Sequence, residues 1–100
     1  MLTKEDVLQL LRGEREHLAK EFGVRRIGLF GSFAADRPTE SSDVDLVVEL
    51  DRPLGLRFVE LAEHLEALLA RRVDLLTPAG IESMRRGNVR QGISGNIVYV

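Results

Sequence analysis

The sequence predicts an α/β fold with helices laid against a small sheet, and three observations carry that reading. Two segments, 4–21 and 58–70, repeat apolar residues at helical spacing. Three short apolar runs, Val24–Phe30, Asp43–Leu50 and Val73–Thr77, end at Gly, Asp or Pro. The two kinds of segment alternate along the chain, as they do where helices cover a sheet.

One hundred residues suffice for one modest core and not for a second lobe, so a single domain over 1–100 is expected. Hydrophobic residues at 44% and charged residues at 30% exclude a disordered or membrane-embedded chain. A formal charge of −2 and a pI near 5.7 offer no global attraction to nucleic-acid phosphates or to a membrane surface, so any phosphate site must be local. Direct nucleic-acid binding is therefore not expected. Without cysteine there are no disulfides and no thiolate zinc site. The first residues, MLTKEDVLQLLRGERE, are too charged for a signal peptide, and no apolar run is long enough to span a bilayer, so a cytoplasmic setting is expected. Twelve of the fourteen basic residues are Arg, which suits phosphate recognition and equally suits a codon bias or a hot habitat.

The elements follow in order. Thr3 with Asp6 reads as an N-cap and acidic first turn, and Val7, Leu8, Leu11, Leu18 and Phe22 form the apolar stripe of a helix over 4–21. Gly13 is a mild defect in it. Gly23 breaks the pattern, and Val24–Phe30 reads as a strand that becomes buried towards its end at Gly31-Ser32. The stretch 32–42 contains Pro38 and a Thr-Glu-Ser-Ser cluster, which allows a brief helical turn and a polar loop. Asp43–Leu50 is the clearest strand; its run of Leu46, Val47 and Val48 predicts cover on both faces. After a turn at Asp51-Arg52-Pro53, the spacing of Phe58, Leu61, Ala62, Leu65, Leu68 and Leu69 predicts a helix ending at Ala70. Val73–Thr77 is a third strand closed by Pro78, and 79–86 reads as a short helix with Ile81 and Met84 inward. From Gly87 the glycines interrupt any helix, and 96–100 reads as a last strand or a docked tail.

Two carboxylates at the start of a buried strand need a reason. Side chains alternate along a strand, so Asp43 and Asp45 share a face. Two such charges about 4 Å apart repel by roughly 4 kcal/mol at an effective dielectric near 20. A hard cation such as Mg²⁺, which takes one or two carboxylates together with substrate phosphates, compensates that repulsion. Asp74 opens another apolar strand; if that strand neighbours 43–50, a third acid joins the pair and can hold a second metal or take a proton from an attacking hydroxyl. Gly31 permits close backbone approach, and the N–H groups of the following turn, with the Ser32 hydroxyl, can hold phosphate oxygens.

Gly31-Ser32, ten intervening residues, Asp43-x-Asp45 and an Asp-bearing strand some thirty residues further on form one pattern. It resembles the DNA-polymerase-β-like nucleotidyltransferase superfamily. GSFAADRPTESSDVDLVVEL and RRVDLLTP are most similar to the minimal nucleotidyltransferases, the MntA-like antitoxins encoded beside a HEPN-domain toxin. The resemblance spans 20–100 in element order, and its specific part lies in 27–50 and 71–78. It implies a polymerase-β-like core with a mixed sheet. It also implies that Asp43 and Asp45 bind Mg²⁺, that Asp74 completes the triad, and that Gly31 and Ser32 hold the triphosphate of an NTP, ATP being the expected donor. The acceptor it implies is a tyrosine of the HEPN partner. A small-molecule acceptor and a non-catalytic module that occludes its partner are the alternatives. Many relatives read G-S-x-A-R-G, whereas Ala35 and Asp36 stand at the Arg and Gly positions here, with Arg37 next to them.

Plainer readings stand beside these. Asp43 can cap the strand entrance, and Asp74 can pair with Arg72. Arg85, Arg86 and Arg90 read as a solvated basic face and Tyr99 as packing. His17 and His64 lie on charged helical faces with no obvious ligand spacing and are read as solvated.

Overall fold

The computed structural model describes residues 2–34, 43–80 and 97–100. Its elements are α1 (Lys4–Phe22), β1 (Val24–Phe30), α2 (Gly31–Ala34), β2 (Val44–Leu50), α3 (Arg57–Leu69), β3 (Val73–Leu76) and β4 (Val98–Tyr99).

Helix α1 starts where the sequence places it. The Thr3 hydroxyl accepts from the Asp6 N–H at 3.1 Å and the Asp6 carboxylate accepts from the Thr3 N–H at 3.0 Å, a reciprocal cap that satisfies two donors left over at a helix start. The helix ends at Gly23, in the left-handed conformation, whose N–H donates to the Ala19 carbonyl at 3.0 Å. The Gly23 carbonyl in turn accepts from the Asp51 N–H at 2.8 Å, which joins the end of α1 to the exit of β2. Helix α3 starts one residue earlier and stops one residue earlier than its apolar repeat suggests. Ala70 leaves the helix with φ 54°, and its N–H closes on the Glu66 carbonyl.

The sheet order is β3-β2-β1-β4, with β2 and β3 parallel and the other pairs antiparallel. It is the mixed sheet implied by the resemblance. The C-terminal segment resolves to a strand: Tyr99 and Val98 pair with Gly28 and Leu29. A side chain at Gly28 would come within 2.6 Å of Ile97 Cγ2 and 2.9 Å of Tyr99 Cδ1, so the bare backbone there makes room for the crossing strand. The Arg26 guanidinium lies over the Tyr99 ring at 3.7 Å, and Tyr99 is itself exposed rather than packed in the core.

Both long helices lie on one face. Val7, Leu11 and Leu18 of α1 and Leu61, Leu65 and Leu69 of α3 pack on Ile27, Leu29, Val44, Leu46, Val48 and Leu75 of the sheet. Each fully buried Leu or Val stabilises by roughly 1.5–3 kcal/mol relative to exposure, so this layer dominates the fold. Phe30 and Val47 are buried on the opposite face beside Leu76 and Ile97. The expectation that Leu46–Val48 is covered on both sides is therefore met.

Strand β2 starts at Val44, so Asp43 stands one residue outside it, and β3 stops at Leu76, one short of Thr77. Thr77 instead opens a helical turn over 78–80: its hydroxyl accepts from the Gly80 N–H at 3.1 Å, and Pro78 takes the first position, where no N–H is needed. The remainder of the helix read over 79–86, the glycine-bearing stretch 87–95 and the Ala35-Asp36-Arg37 segment lie outside the described residues.

Candidate active site

The three aspartates meet at one end of the sheet, on the face opposite α1 and α3. Because β2 and β3 are parallel they begin at the same end, and because β1 is antiparallel to β2 it finishes there. Asp45 lies opposite Asp74 across the parallel pair and opposite Phe30 across the antiparallel pair. Neighbouring strands are about 4.8 Å apart, so carboxylates paired in register are close neighbours. Two contacts set that register. The Val44 N–H donates to the Arg72 carbonyl at 2.9 Å, and the Val73 N–H donates to the Glu66 carboxylate at 3.1 Å, so α3 fixes where β3 begins.

Gly31 follows β1 with φ 74°, a backbone shape that L side chains rarely adopt. A Cβ at Gly31 would collide with the Asp45 carboxylate and lie 2.9 Å from its Cγ. Glycine is thus needed both for its conformation and for its lack of a side chain. Ser32 and Phe33 continue α2; Phe33 is fully buried in the main core, and the Arg71 guanidinium lies 5.4 Å from its ring centre. The Gly31-Ser32 turn is therefore anchored from beneath.

Among the described residues none of Asp43, Asp45 or Asp74 takes part in a salt bridge, and Asp74 does not pair with Arg72. Asp45 is half-buried, and its pKa is pushed from 3.8 up to about 6, first by burial and then by the negative charges of Asp74 and Asp43. Three carboxylates gathered at one corner are hard oxygen donors that suit a divalent cation retaining water and substrate oxygens. Two hollows among the described residues lie elsewhere. One of 320 Å³ is lined by Arg15, Val24 and Val100, and one of 590 Å³ by Arg25, Asp51 and Thr77. Charge and register, rather than enclosure, mark the aspartate corner.

One cluster was missed in the sequence. His17 and His64, read as solvated, meet each other and Glu14 between α1 and α3, with ring centres 5.0 Å apart. His64 Nε2 lies 2.8 Å from Glu14 Oε1. The spacing of Glu14 and His17, three apart on α1, was visible in the sequence, but their approach to His64 fifty positions away depends on how the helices pack.

Residues 11–98 match the nucleotidyltransferase domain family. Over its full length the chain is 40% identical to the protein adenylyltransferase MntA of Thermococcus cleftensis, 98% of which it covers. Two solved toxin–antitoxin structures share the fold. One, with AMP-PNP, has a TM-score of 0.55 and 28% identity over 82% of this chain and 60% of that one. The other, of an MntA complex in which two aspartates one residue apart are replaced by glutamate, has a TM-score of 0.55 and 25% identity over 78% of this chain and 59% of that one. This chain thus spans about three-fifths of the chains matched in those two structures. The chain belongs to the nucleotidyltransferase domain family, and is an enzyme of nucleotidyl transfer. Within that family it is a minimal nucleotidyltransferase of the MntA type.

Proposed function

We propose that this chain, acting as a single domain over 1–100 in the cytoplasm, transfers AMP from ATP to a tyrosine hydroxyl of a HEPN-domain partner and so acts as its antitoxin. The observation that carries the reading is the position of Asp45, between Gly31 on one side and Asp74 on the other. The name of the Thermococcus relative and the AMP-PNP-bound toxin–antitoxin structure support the donor and the kind of partner.

Asp43, Asp45 and Asp74 would hold Mg²⁺, which when bound neutralises charge on the phosphates. Gly31 and Ser32 hold triphosphate oxygens through backbone N–H groups and the serine hydroxyl. Asp74, the most solvent-facing of the acids within the strands, would accept the proton of the incoming hydroxyl, a role its exposure supports. The acceptor oxygen forms a bond to the α-phosphorus, the bond from that phosphorus to the bridging oxygen breaks, and pyrophosphate leaves with the electron pair. Holding both reactants at one sheet end supplies the proximity that the step requires.

The test is to incubate the chain, Mg²⁺ and ATP with the product of the adjacent gene and weigh that partner by mass spectrometry. A gain of one adenylyl group, lost with Asp45→Asn and with Asp43→Asn while both variants stay folded, is the expected result. An unchanged partner mass, with inhibition of the partner persisting, would mean neutralisation by occlusion; transfer to a small molecule alone would move the acceptor class. Retained transfer in both variants would remove the metal assignment.

A further inference from the structure

We propose that Glu14, His17 and His64 form a second metal site, for a borderline divalent ion of the Zn²⁺ class, which staples α1 to α3. The ligand atoms of the three residues all lie within 4.8 Å of one another. Two of them, His64 Nε2 and Glu14 Oε1, are already 2.8 Å apart. Around a tetrahedral ion with bonds of about 2.0–2.1 Å, ligand atoms sit roughly 3.3 Å from each other, so atoms that lie within 4.8 Å of one another have at most about 1.5 Å to close. His17 is the exposed member of the cluster, whereas Glu14 and His64 are part-buried.

The donor set determines which ion is bound. Two imidazoles and one carboxylate favour Zn²⁺, Co²⁺ or Ni²⁺, while the all-carboxylate corner on the other face of the sheet favours Mg²⁺. The cluster touches none of Asp43, Asp45 or Asp74. It lies where the two long helices meet, with the Phe22 ring centre 6.1 Å from that of His64. Binding replaces the Glu14–His64 hydrogen bond with two bonds to the ion, and the third ligand makes the link between helices bidentate on α1. Three protein ligands leave a fourth position for water or for a donor from outside the chain.

The test uses the untagged full chain in excess Mg²⁺, which occupies hard-oxygen sites, with Zn²⁺ titrated in and the ring signals of the only two histidines followed by NMR. Both rings are expected to shift together and saturate at one ion per chain, and Tm to rise. His17→Gln, which alters only an exposed side chain, and Glu14→Gln should each weaken Zn²⁺ at least about tenfold, whereas Asp43→Asn should leave the affinity unchanged. Histidine signals that do not saturate, an affinity indifferent to His17→Gln, or one lost with Asp43→Asn would overturn the assignment. None of these readouts depends on the nucleotidyl-transfer reading.

Discussion

At Gly31 two demands coincide: a left-handed backbone and the absence of a Cβ beside the Asp45 carboxylate. Alanine there adds a conformational penalty of roughly 1–2 kcal/mol and pushes the carboxylate from its place. Gly31→Ala is therefore expected to lower stability in chemical denaturation by at least that amount. Because small misplacements of a reacting constellation are costly, transfer should fall by about 10²-fold. A variant with wild-type rates would show that the close approach to Asp45 has no part in turnover. The face of Asp45 was legible at this scale because side chains alternate along a strand, whereas Asp43 stands one residue outside β2 and its place is not set by that alternation. The depth of Asp45 was not legible, since it depends on Gly31 and on a strand some thirty residues away.

At the scale of elements, what could be read in advance was whatever rests on local rules. The Thr3–Asp6 cap, the stripe of α1 and the alternation of β2 are written within a few residues. Asp74 depended on β3 lying next to β2, and β4 on a glycine gap in β1 that accepts Tyr99; both are long-range pairings with no local signature. Helix α1 also carries a testable flaw. Gly13 lies exposed in its middle, and a side chain there would meet nothing within 4 Å. Gly13→Ala is expected to stabilise the chain by about 0.5–1 kcal/mol, a rise in Tm of a few degrees, with transfer unaffected. A fall in Tm on a melting curve would show that the helix needs its glycine.

Over the whole molecule the raised pKa of Asp45 links stability to pH. The folded-state pKa of Asp45 lies above its ordinary value, so folding favours the protonated form; this contribution is complete below about pH 3.8 and is lost as pH rises through about 6. A divalent cation held at the proposed site would bind the ionised form and reverse the loss. Mg²⁺ should therefore raise Tm more at pH 7.5 than at pH 5, and chelation should remove the difference. Asp45→Asn should make the metal-free protein less sensitive to pH over this range. Equal Mg²⁺ effects at both pH values would place the ion elsewhere. The same aspartate has a consequence for how the chain finds its fold. Strand β2 alternates, with Val44, Leu46 and Val48 in the helix-covered core and Asp45, Val47 and Glu49 on the other side, so a slip of one residue against β1 would withdraw three buried apolar side chains and turn Asp45 and Glu49 into that core. A lone carboxylate there is prohibitive. The acid that weakens the finished protein thereby adds, with Glu49, to the penalty on misaligned sheets during assembly, and replacing it with an apolar residue would gain static stability while giving up part of that safeguard.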